Sequence, residues 1–278
     1  MTRIIASVVV LTVTVPTVAR AEYYALRATA LRASPSPSAK VVDRVDANQS
    51  LAVEASDKGW MRVRMGVDVV GWLAANAVSD RWIKVWKRER KLLLMKGERA
   101  ERTFRVALGD QNPTGQKLKR GDGATPEGRY FIAELDGTPK AGRYGARSMR
   151  LSYPSVADAR RGLKNRLIDR ASYLAIVRAI RAGEVPPQRT ALGGSIRIHG
   201  GGSKHDWTLG CIALDDKDAI ALFAEVGKGT RVDVYASADE DARLGKAGFL
   251  PGAVLAAAKV QIQASALYTV AAIRLRTS

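Results

Sequence analysis

The two histidines and the only cysteine of this 278-residue chain lie in one short stretch, HGGGSKHDWTLGCIAL, residues 199–214. A thiol is a poor nucleophile until a base or a local positive potential turns it into a thiolate. His199 ends a predicted strand, SIRIH, and Cys211 begins a second strand-like run, CIAL. If the loop between them folds back, the two strand ends place an imidazole beside a thiol. The stretch therefore predicts a nucleophile and its base.

The loop between those two residues begins with three glycines, residues 200–202. Such a backbone can bend sharply and lets a substrate approach closely. Backbone amides around Gly210 and Cys211 can hold an oxyanion that forms when a carbonyl is attacked. The candidate loop and oxyanion residues are Gly200, Gly201, Trp207, Thr208, Leu209 and Gly210.

The same stretch has three other interpretations. A lone cysteine can simply be a small buried hydrophobic residue. His199, His205, Asp206 and Cys211 are potential metal ligands, but two histidines and one thiol lack a recognised zinc spacing, so no metal is expected. The run HGGG also occurs as an oxyanion loop in α/β-hydrolases. That fold is not predicted here, because the chain has no GxSxG nucleophile elbow.

The chain is strongly basic, with 45 lysine and arginine residues against 27 acidic ones and a formal net charge of +18. Such a surface attracts polyanions. No CxxC zinc pattern, aromatic RNA-binding signature or basic zipper accompanies the charge, so nucleic acid is not a predicted partner. Anionic cell-wall polymers are the expected partners of an exported basic protein.

Residues 1–21 have the pattern of a secretory signal peptide. Arg3 precedes an apolar run from Ile4 to Val15, and small residues follow Pro16. The run is shorter than the roughly 20 residues that a membrane span needs, so no stable span is expected. Cleavage after Ala21 would release the protein to the periplasm or the cell envelope.

Residues 22–79 consist of short predicted strands separated by turns, such as VVDRV, SLAVEAS and MRVRM. Alternating polarity and frequent turns predict a small all-β barrel. The segments ALRASPSPS, KGW (58–60) and GWL (71–73) are similar to those of a bacterial SH3-like domain. This resemblance implies a unit that contacts the cell wall, and the alternative is a packing appendage.

Residues 81–236 are predicted to be β-rich with inserted helices. WIKVWKRERKLLLMK and ERAERTFRVALG are two alternating runs separated at Lys96-Gly97, a hairpin signal, and RYFIAEL, SIRIHG and TRVDVYA are further strands. Apolar residues from Asp158 to Ala182 follow a mostly helical spacing.

A second helix is predicted in DDKDAIALFAEVG, ending at Gly227. The remaining residues, 237–278, are alanine-rich and are expected to be a C-terminal extension of unknown role. The predicted chain is thus mainly β with some α.

Several of these segments together resemble the YkuD-type L,D-transpeptidases. IHGGG and DWTLGCIAL are similar to the family signature, in which a histidine at a strand end serves the cysteine of a downstream [S/T]xGC motif. GDGATPEGRYFI (121–132), MRLSYP, LGGSIRIHG and GTRVDVY (229–235) also match the family's segments. The resemblance covers about residues 82–236 in the expected order, and implies a β-rich L,D-transpeptidase catalytic domain.

The resemblance also implies a reaction. Cys211 would be the nucleophile and His199 the general acid and base in an acyl transfer that needs no cofactor. The donor would be the bond between diaminopimelate and D-alanine in a peptidoglycan tetrapeptide stem, with amides from Leu209 to Cys211 holding the oxyanion. The acceptor would be an amine of another stem or of a wall-attached protein. A cysteine-dependent murein hydrolase or amidase, and a non-catalytic wall-binding protein, are the alternatives.

The chain departs from the family pattern near the cysteine. Many members carry a second histidine where this chain has Leu209, so the resemblance assigns the base role to His199 and leaves His205 as an exposed loop residue. Members with that histidine often continue IRLxN, whereas this chain has Ala213 and Asp216 in place of the arginine and asparagine. These differences leave the choice of substrate open.

Overall fold

The computed structural model describes residues 23–139 and 144–246. The predicted signal peptide, residues 1–21, and most of the predicted extension, residues 237–278, lie outside the described residues. The described residues form two β-sheets and four α-helices. The prediction of a mainly β chain with some α-helix is confirmed.

The first sheet is antiparallel throughout and uses short strands joined by tight turns. It contains β1 (Tyr23–Ala25), β2 (Thr29–Arg32), β3 (Val41–Val45), β4 (Ser50–Asp57), β5 (Trp60–Met65), β6 (Val69–Ala74) and β7 (Val78–Ser79). The strand order is β3-β2-β6-β5-β4-β1-β7. The turns before and after β5 use Gly59 and Gly66 at positive φ, and Leu31, Leu51 and Val63 are buried in the core.

The second sheet has eight strands in the order β10-β9-β8-β15-β11-β12-β13-β14. These are β8 (Arg81–Trp86), β9 (Lys91–Lys96), β10 (Arg99–Arg105), β11 (Gly128–Asp136), β12 (Ser148–Leu151), β13 (Arg197–His199), β14 (Ile212–Ala213) and β15 (Arg231–Tyr235). Pairs β15–β8 and β13–β14 are parallel. The SIRIHG and CIAL segments therefore end up side by side at one edge of the sheet.

The first predicted run of this region, WIKVWKRERKLLLMK, is two strands rather than one. Its polar centre, residues 87–90, makes a turn between β8 and β9, and Arg90 has a φ of 52°. The hairpin predicted at Lys96-Gly97 is confirmed, because β9 pairs with β10 across that turn. Alternation alone missed the first turn, because it contains no proline or glycine.

The region predicted to be helical from Asp158 to Ala182 is also split. It forms α1 (Val156–Lys164) and α2 (Arg170–Ala182), followed later by α3 (Asp216–Phe223) and α4 (Ala238–Lys246). Arg166 has a φ of 58° between the first two helices, and Asp169 caps α2 by accepting the Ser172 amide. The third helix stops at Phe223, before the predicted end at Gly227.

A single apolar cluster joins the strands of the second sheet to α3. It includes the fully buried residues Ile83, Tyr130, Leu151, Ile198 and Val232. Because Ile198 and Ile212 both belong to this cluster, the strands that end near His199 and Cys211 are fixed to the core. Within residues 23–139 and 144–246, no helix is long and apolar enough to cross a membrane.

The start of the predicted extension packs against the second sheet. Asp241 in α4 accepts hydrogen bonds from Lys84 Nζ at 2.6 Å and Trp86 Nε1 at 3.1 Å. Lys84 is only 7% exposed and lies against aromatic rings, including that of Trp82 at 5.1 Å. Residues 238–246 are therefore held on β8.

Candidate functional site

His199 and Cys211 lie on neighbouring parallel strands. His199 of β13 is opposite Ala213 of β14, and the same register places Cys211 beside Arg197. Side chains alternate along a strand, so Arg197, His199 and Cys211 share one face. Cys211 is half-buried, and its Sγ lies 3.6 Å from the Ser195 carbonyl oxygen that accepts its hydrogen bond. The structure therefore brings together the two strand ends that the sequence predicts.

The His199 ring is held in one orientation and one tautomer. Its Nδ1 lies 2.6 Å from the Gly200 carbonyl oxygen, which can only accept, so Nδ1 carries the hydrogen. In the neutral ring, Nε2 is then the basic nitrogen. Tyr144 and Trp207 pack edge-on against the imidazole with centroid distances of 5.2 and 5.6 Å. The ring is thus sheltered, and its position is fixed by these contacts.

Burial shifts the pKa values of both groups toward their neutral forms. Burial lowers the pKa of His199 below its ordinary value of 6.5, and the charge of Arg197 acts in the same direction against the opposing Gly200 hydrogen bond. Burial raises the pKa of the Cys211 thiol, although the Arg197 amide and the charges of Arg197 and Lys117 oppose this rise. At neutral pH the site holds a thiol and a neutral imidazole.

The turn before Cys211 is closed by Thr208. Its Oγ1 donates to the Cys211 carbonyl at 2.8 Å and accepts the Gly210 amide at 3.1 Å. This bond occupies the Gly210 amide, one of the predicted oxyanion donors. Gly210 has a φ of 117°, and a Cβ there would lie 2.6 Å from the Ala124 carbonyl oxygen. The side chain of Leu209 is 76% exposed, so the residue contributes chiefly its backbone.

The loop that carries Trp207 is anchored by a residue that the sequence analysis considered only as a metal ligand. Asp206 accepts hydrogen bonds from Arg90 Nε at 3.0 Å and Arg90 Nη2 at 2.6 Å, and from the Leu108 amide at 2.8 Å. Trp207 Nε1 donates to the Gly202 carbonyl at 3.0 Å. The local sequence pattern does not indicate this contact, because Arg90 and Asp206 are far apart in sequence.

Asp216 holds the glycine loop from the other side. Its Oδ1 accepts the Ala146 amide at 2.8 Å and the Gly201 amide at 3.0 Å. A Cβ at Gly200 would lie 2.1 Å from the same oxygen, so this position requires glycine. Asp216 thus supplies the hydrogen-bond acceptor at the position where the resembling sequences have asparagine.

An arginine is also present at the site, on the neighbouring strand. Arg197 is 8% exposed and donates from Nη1 to Ser148 Oγ at 2.9 Å. Its guanidinium lies 4.9 Å from the centre of the Tyr144 ring. The sequence lacks the expected arginine after Cys211, and its local pattern gives no sign that β13 supplies one.

Two open cavities flank the strand ends. The first, of about 350 Å³, is lined by residues that include Lys117, Arg120, Gln188, Ser195 and Leu209, and we call it the Arg120 pocket. The second, of about 730 Å³, is lined by residues that include Gly145, Gly201, Lys204, Trp207 and Asp216, and we call it the Trp207 pocket. The predicted loop residues therefore do not line one common pocket. Leu209 borders the Arg120 pocket, whereas Gly201 and Trp207 border the Trp207 pocket.

His205 is exposed at the rim of the Trp207 pocket, as the sequence analysis expects of a loop residue. Among the residues that the structure describes, no three histidine, cysteine or acidic side chains are grouped to hold a metal ion.

The family model of the YkuD L,D-transpeptidase catalytic domain matches residues 80–234. No curated protein matches the chain. Among solved structures, the helical cell shape determining protein Pgp2 from Campylobacter jejuni is 21% identical over 56% of this chain and 48% of its own, with a TM-score of 0.39.

Two further solved structures are similar. Bd1075 from Bdellovibrio bacteriovorus is 22% identical over 61% of this chain and 55% of its own, with a TM-score of 0.39. An L,D-transpeptidase from Mycobacterium smegmatis is 11% identical over 63% of this chain and 66% of its own, with a TM-score of 0.34. This chain spans about half the length of Pgp2 and Bd1075.

The matched family region covers more than half of the chain and contains both His199 and Cys211. It begins just before β8 and ends within β15, so it coincides with the second sheet and its inserted helices. The chain belongs to the YkuD family of L,D-transpeptidase catalytic domains.

Proposed function

We propose that the protein is a peptidoglycan L,D-transpeptidase that uses Cys211 as its nucleophile and His199 as its general acid and base. The observation that carries the proposal is the placement of the two residues on one face of adjacent strands, with His199 Nδ1 bonded to the Gly200 carbonyl. This bond leaves Nε2 as the nitrogen that accepts the thiol proton.

In the first half of the reaction, His199 Nε2 takes the proton of Cys211 Sγ as the sulfur attacks the carbonyl carbon of diaminopimelate. The tetrahedral oxyanion is held by backbone amides, and the engagement of Gly210 by Thr208 favours those of Leu209 and Cys211 for this role. The bond to the D-alanine nitrogen then breaks, and the imidazolium gives its proton to that nitrogen. The products are free D-alanine and a thioester on Cys211.

In the second half, an acceptor amine attacks the thioester carbonyl. His199 takes a proton from the attacking nitrogen and returns one to the sulfur as the C–S bond breaks, which restores the thiol. A stem-peptide amine gives a crosslink and a protein amine attaches a protein to the wall. Water in place of the amine gives a trimmed stem, the hydrolase outcome.

The products identify which acceptor is used. Purified protein incubated with tetrapeptide muropeptides is expected to yield crosslinked dimers and free D-alanine, measured by mass spectrometry. Trimmed tripeptides without dimers would assign the protein to the hydrolase branch. A Cys211→Ser variant is expected to form neither product, and turnover like that of the wild-type protein would exclude Cys211 as the nucleophile.

We propose that residues 1–21 direct export, that 22–79 are an SH3-like unit and that the catalytic domain spans 81–236. The short antiparallel strands of the first sheet and the ALRASPSPS, KGW and GWL segments support the SH3-like assignment. The net charge of +18 supports contact with anionic wall polymers in the periplasm or envelope. Binding of the full chain to isolated cell-wall sacculi, weakened by added salt, is the expected result.

A further inference from the structure

The Arg120 pocket lies beside Cys211, on the side away from the His199 aromatic ring contacts. Ser195 borders the pocket and accepts the Cys211 hydrogen bond, and Leu209, two residues before Cys211, forms another wall. The charge of Lys117, a third lining residue, acts on the Cys211 thiol and partly opposes the rise in its pKa that burial causes. A group bound in this pocket would therefore sit next to the nucleophile.

Hydrogen bonds and an ion pair fix the conformation of the loop that carries Arg120. Asp122 accepts the amides of Leu118 and Lys119 at 2.7 and 2.9 Å, and pairs with Lys117 Nζ at 2.7 Å. The Arg120 amide donates to the Ala191 carbonyl at 2.8 Å, which ties this loop to the segment just before Gly193, another lining residue. The pocket is thus formed before any ligand binds.

The positive charges of the pocket are not equivalent. Lys117 is 3% exposed, and its charge is balanced by Asp122. Arg120 is exposed and donates from Nη2 to the neutral Thr190 carbonyl, and no carboxylate among the described residues forms an ion pair with it. The Arg120 guanidinium retains donors in a planar fork that matches a carboxylate.

The position of His199 decides which part of the substrate enters this pocket. The imidazole gives its proton to the leaving nitrogen, so the leaving D-alanine must lie on the His199 side of the sulfur, where the Trp207 pocket opens. The acyl residue lies on the other side of the scissile bond. The substituents of that residue, its side chain among them, therefore lie on the side of the Arg120 pocket.

We propose that Arg120 binds the carboxylate on the side chain of the acyl residue and makes the enzyme select donors that carry it. This inference rests on the proposed function and adds the determinant of donor specificity. A diaminopimelate residue with a free side-chain carboxylate fits the pocket. A lysine at the same position lacks that carboxylate, and an amidated diaminopimelate lacks its charge.

The test measures binding in a Cys211→Ala background, so that it does not depend on turnover. Three synthetic tetrapeptides are titrated, with diaminopimelate, its side-chain amide or lysine as the third residue. A charge-assisted hydrogen bond predicts about ten- to a hundredfold tighter binding of the free carboxylate. Arg120→Gln is expected to remove this preference, and Arg120→Lys to restore part of it.

Arg189→Gln is the matched control, because Arg189 is an exposed neighbouring arginine outside the described pocket lining. It is expected to keep the full preference. Equal affinity of the three peptides for the Arg120-containing protein, or an equal loss for all three in Arg120→Gln, would overturn the inference. The proposed function is judged separately, by Cys211-dependent product formation.

Discussion

Cys211 and His199 do not form a resting ion pair in this site. Burial lowers the pKa of the imidazole and raises the pKa of the thiol, so both groups are neutral near pH 7. In the proposed mechanism, the proton therefore moves to His199 during attack rather than before it. General-base catalysis of this kind typically contributes about 10²- to 10⁴-fold to a rate.

The pH dependence of activity follows from the direction of the His199 shift. A protonated imidazole cannot accept the thiol proton, so activity is expected to rise as pH increases through the His199 pKa, which lies below 6.5. His199→Ala is expected to lower kcat about 10²- to 10⁴-fold and to remove this acid limb. The measurement is kcat from pH 4.5 to 8.

The other histidine provides the control for that profile. His205→Ala is expected to leave the position of the acid limb unchanged, because His205 is exposed. An acid limb that persists unchanged in His199→Ala would argue against the pairing.

Gly210, the residue before Cys211, has a constrained backbone. Gly210→Ala combines a φ of 117° with a Cβ only 2.6 Å from the Ala124 oxygen, so the turn must shift. We expect a loss of about 1–3 kcal/mol in the free energy of unfolding and a lower kcat. Gly227→Ala, which meets nothing within 4 Å, is expected to change neither quantity in denaturation and kinetic assays.

The segment between β13 and β14 acts as one anchored loop. Asp206 binds Arg90 and the Leu108 amide at one point, and Asp216 binds Ala146 and Gly201 at another. The partners Arg90, Leu108 and Ala146 belong to parts of the chain that are distant in sequence from this loop. Trp207 can therefore remain against the His199 ring in the absence of substrate.

Asp206→Asn tests the first anchor. The pair with Arg90 is partly exposed, so its loss is expected to cost about 1 kcal/mol of unfolding free energy at pH 7. The Arg90 hydrogen bonds keep the Asp206 pKa below 3.8 despite partial burial. The stabilisation should thus be fully present above pH 3.8 and disappear as pH falls through the lowered pKa.

Urea denaturation of both proteins between pH 7 and pH 2 measures that difference. Glu54→Gln, at a pair that lies on the surface of the first sheet, is expected to change stability by less than about 0.5 kcal/mol. The wild-type protein should lose its stability advantage over Asp206→Asn below the Asp206 pKa. An advantage that persists unchanged there would contradict a stabilising role for the Asp206–Arg90 contact.

Sequence patterns located most strands of the second sheet and the stretch that holds its site. SIRIHG and TRVDVYA were predictable because their apolar residues alternate with polar ones. The break between α1 and α2 was missed, because no proline or glycine lies between Asn165 and Asp169. Arg197 was missed as a site residue because its importance depends on strand register, which local spacing does not determine.

The two sheets of the molecule share an interface. Tyr24 is fully buried, donates to the Arg81 carbonyl at 2.5 Å and accepts the Arg231 amide at 3.1 Å. Its ring belongs to one apolar cluster with Trp82 and Leu93 of the second sheet. The N-terminal unit is therefore packed against the second sheet through a buried contact.

Tyr24→Phe probes this interface with little change in volume. Removing the hydroxyl leaves the Arg231 amide and the Arg81 carbonyl without this partner, which is expected to cost about 1–3 kcal/mol. Tyr23→Phe is the control, because Tyr23 is only partly buried and is expected to have a smaller effect. Fluorescence and circular dichroism should report one coincident unfolding transition, and two separate transitions would contradict a shared interface.

The formation of a covalent intermediate on Cys211 tests the central claim most directly. Intact-mass measurement during turnover of a diaminopimelate tetrapeptide is expected to show the protein mass increased by the donor minus D-alanine. Peptide mapping should place that mass on Cys211, and Cys211→Ala should show no increase. D-Alanine release by Cys211→Ala at the wild-type rate, or an acyl group mapped to another residue, would contradict the account.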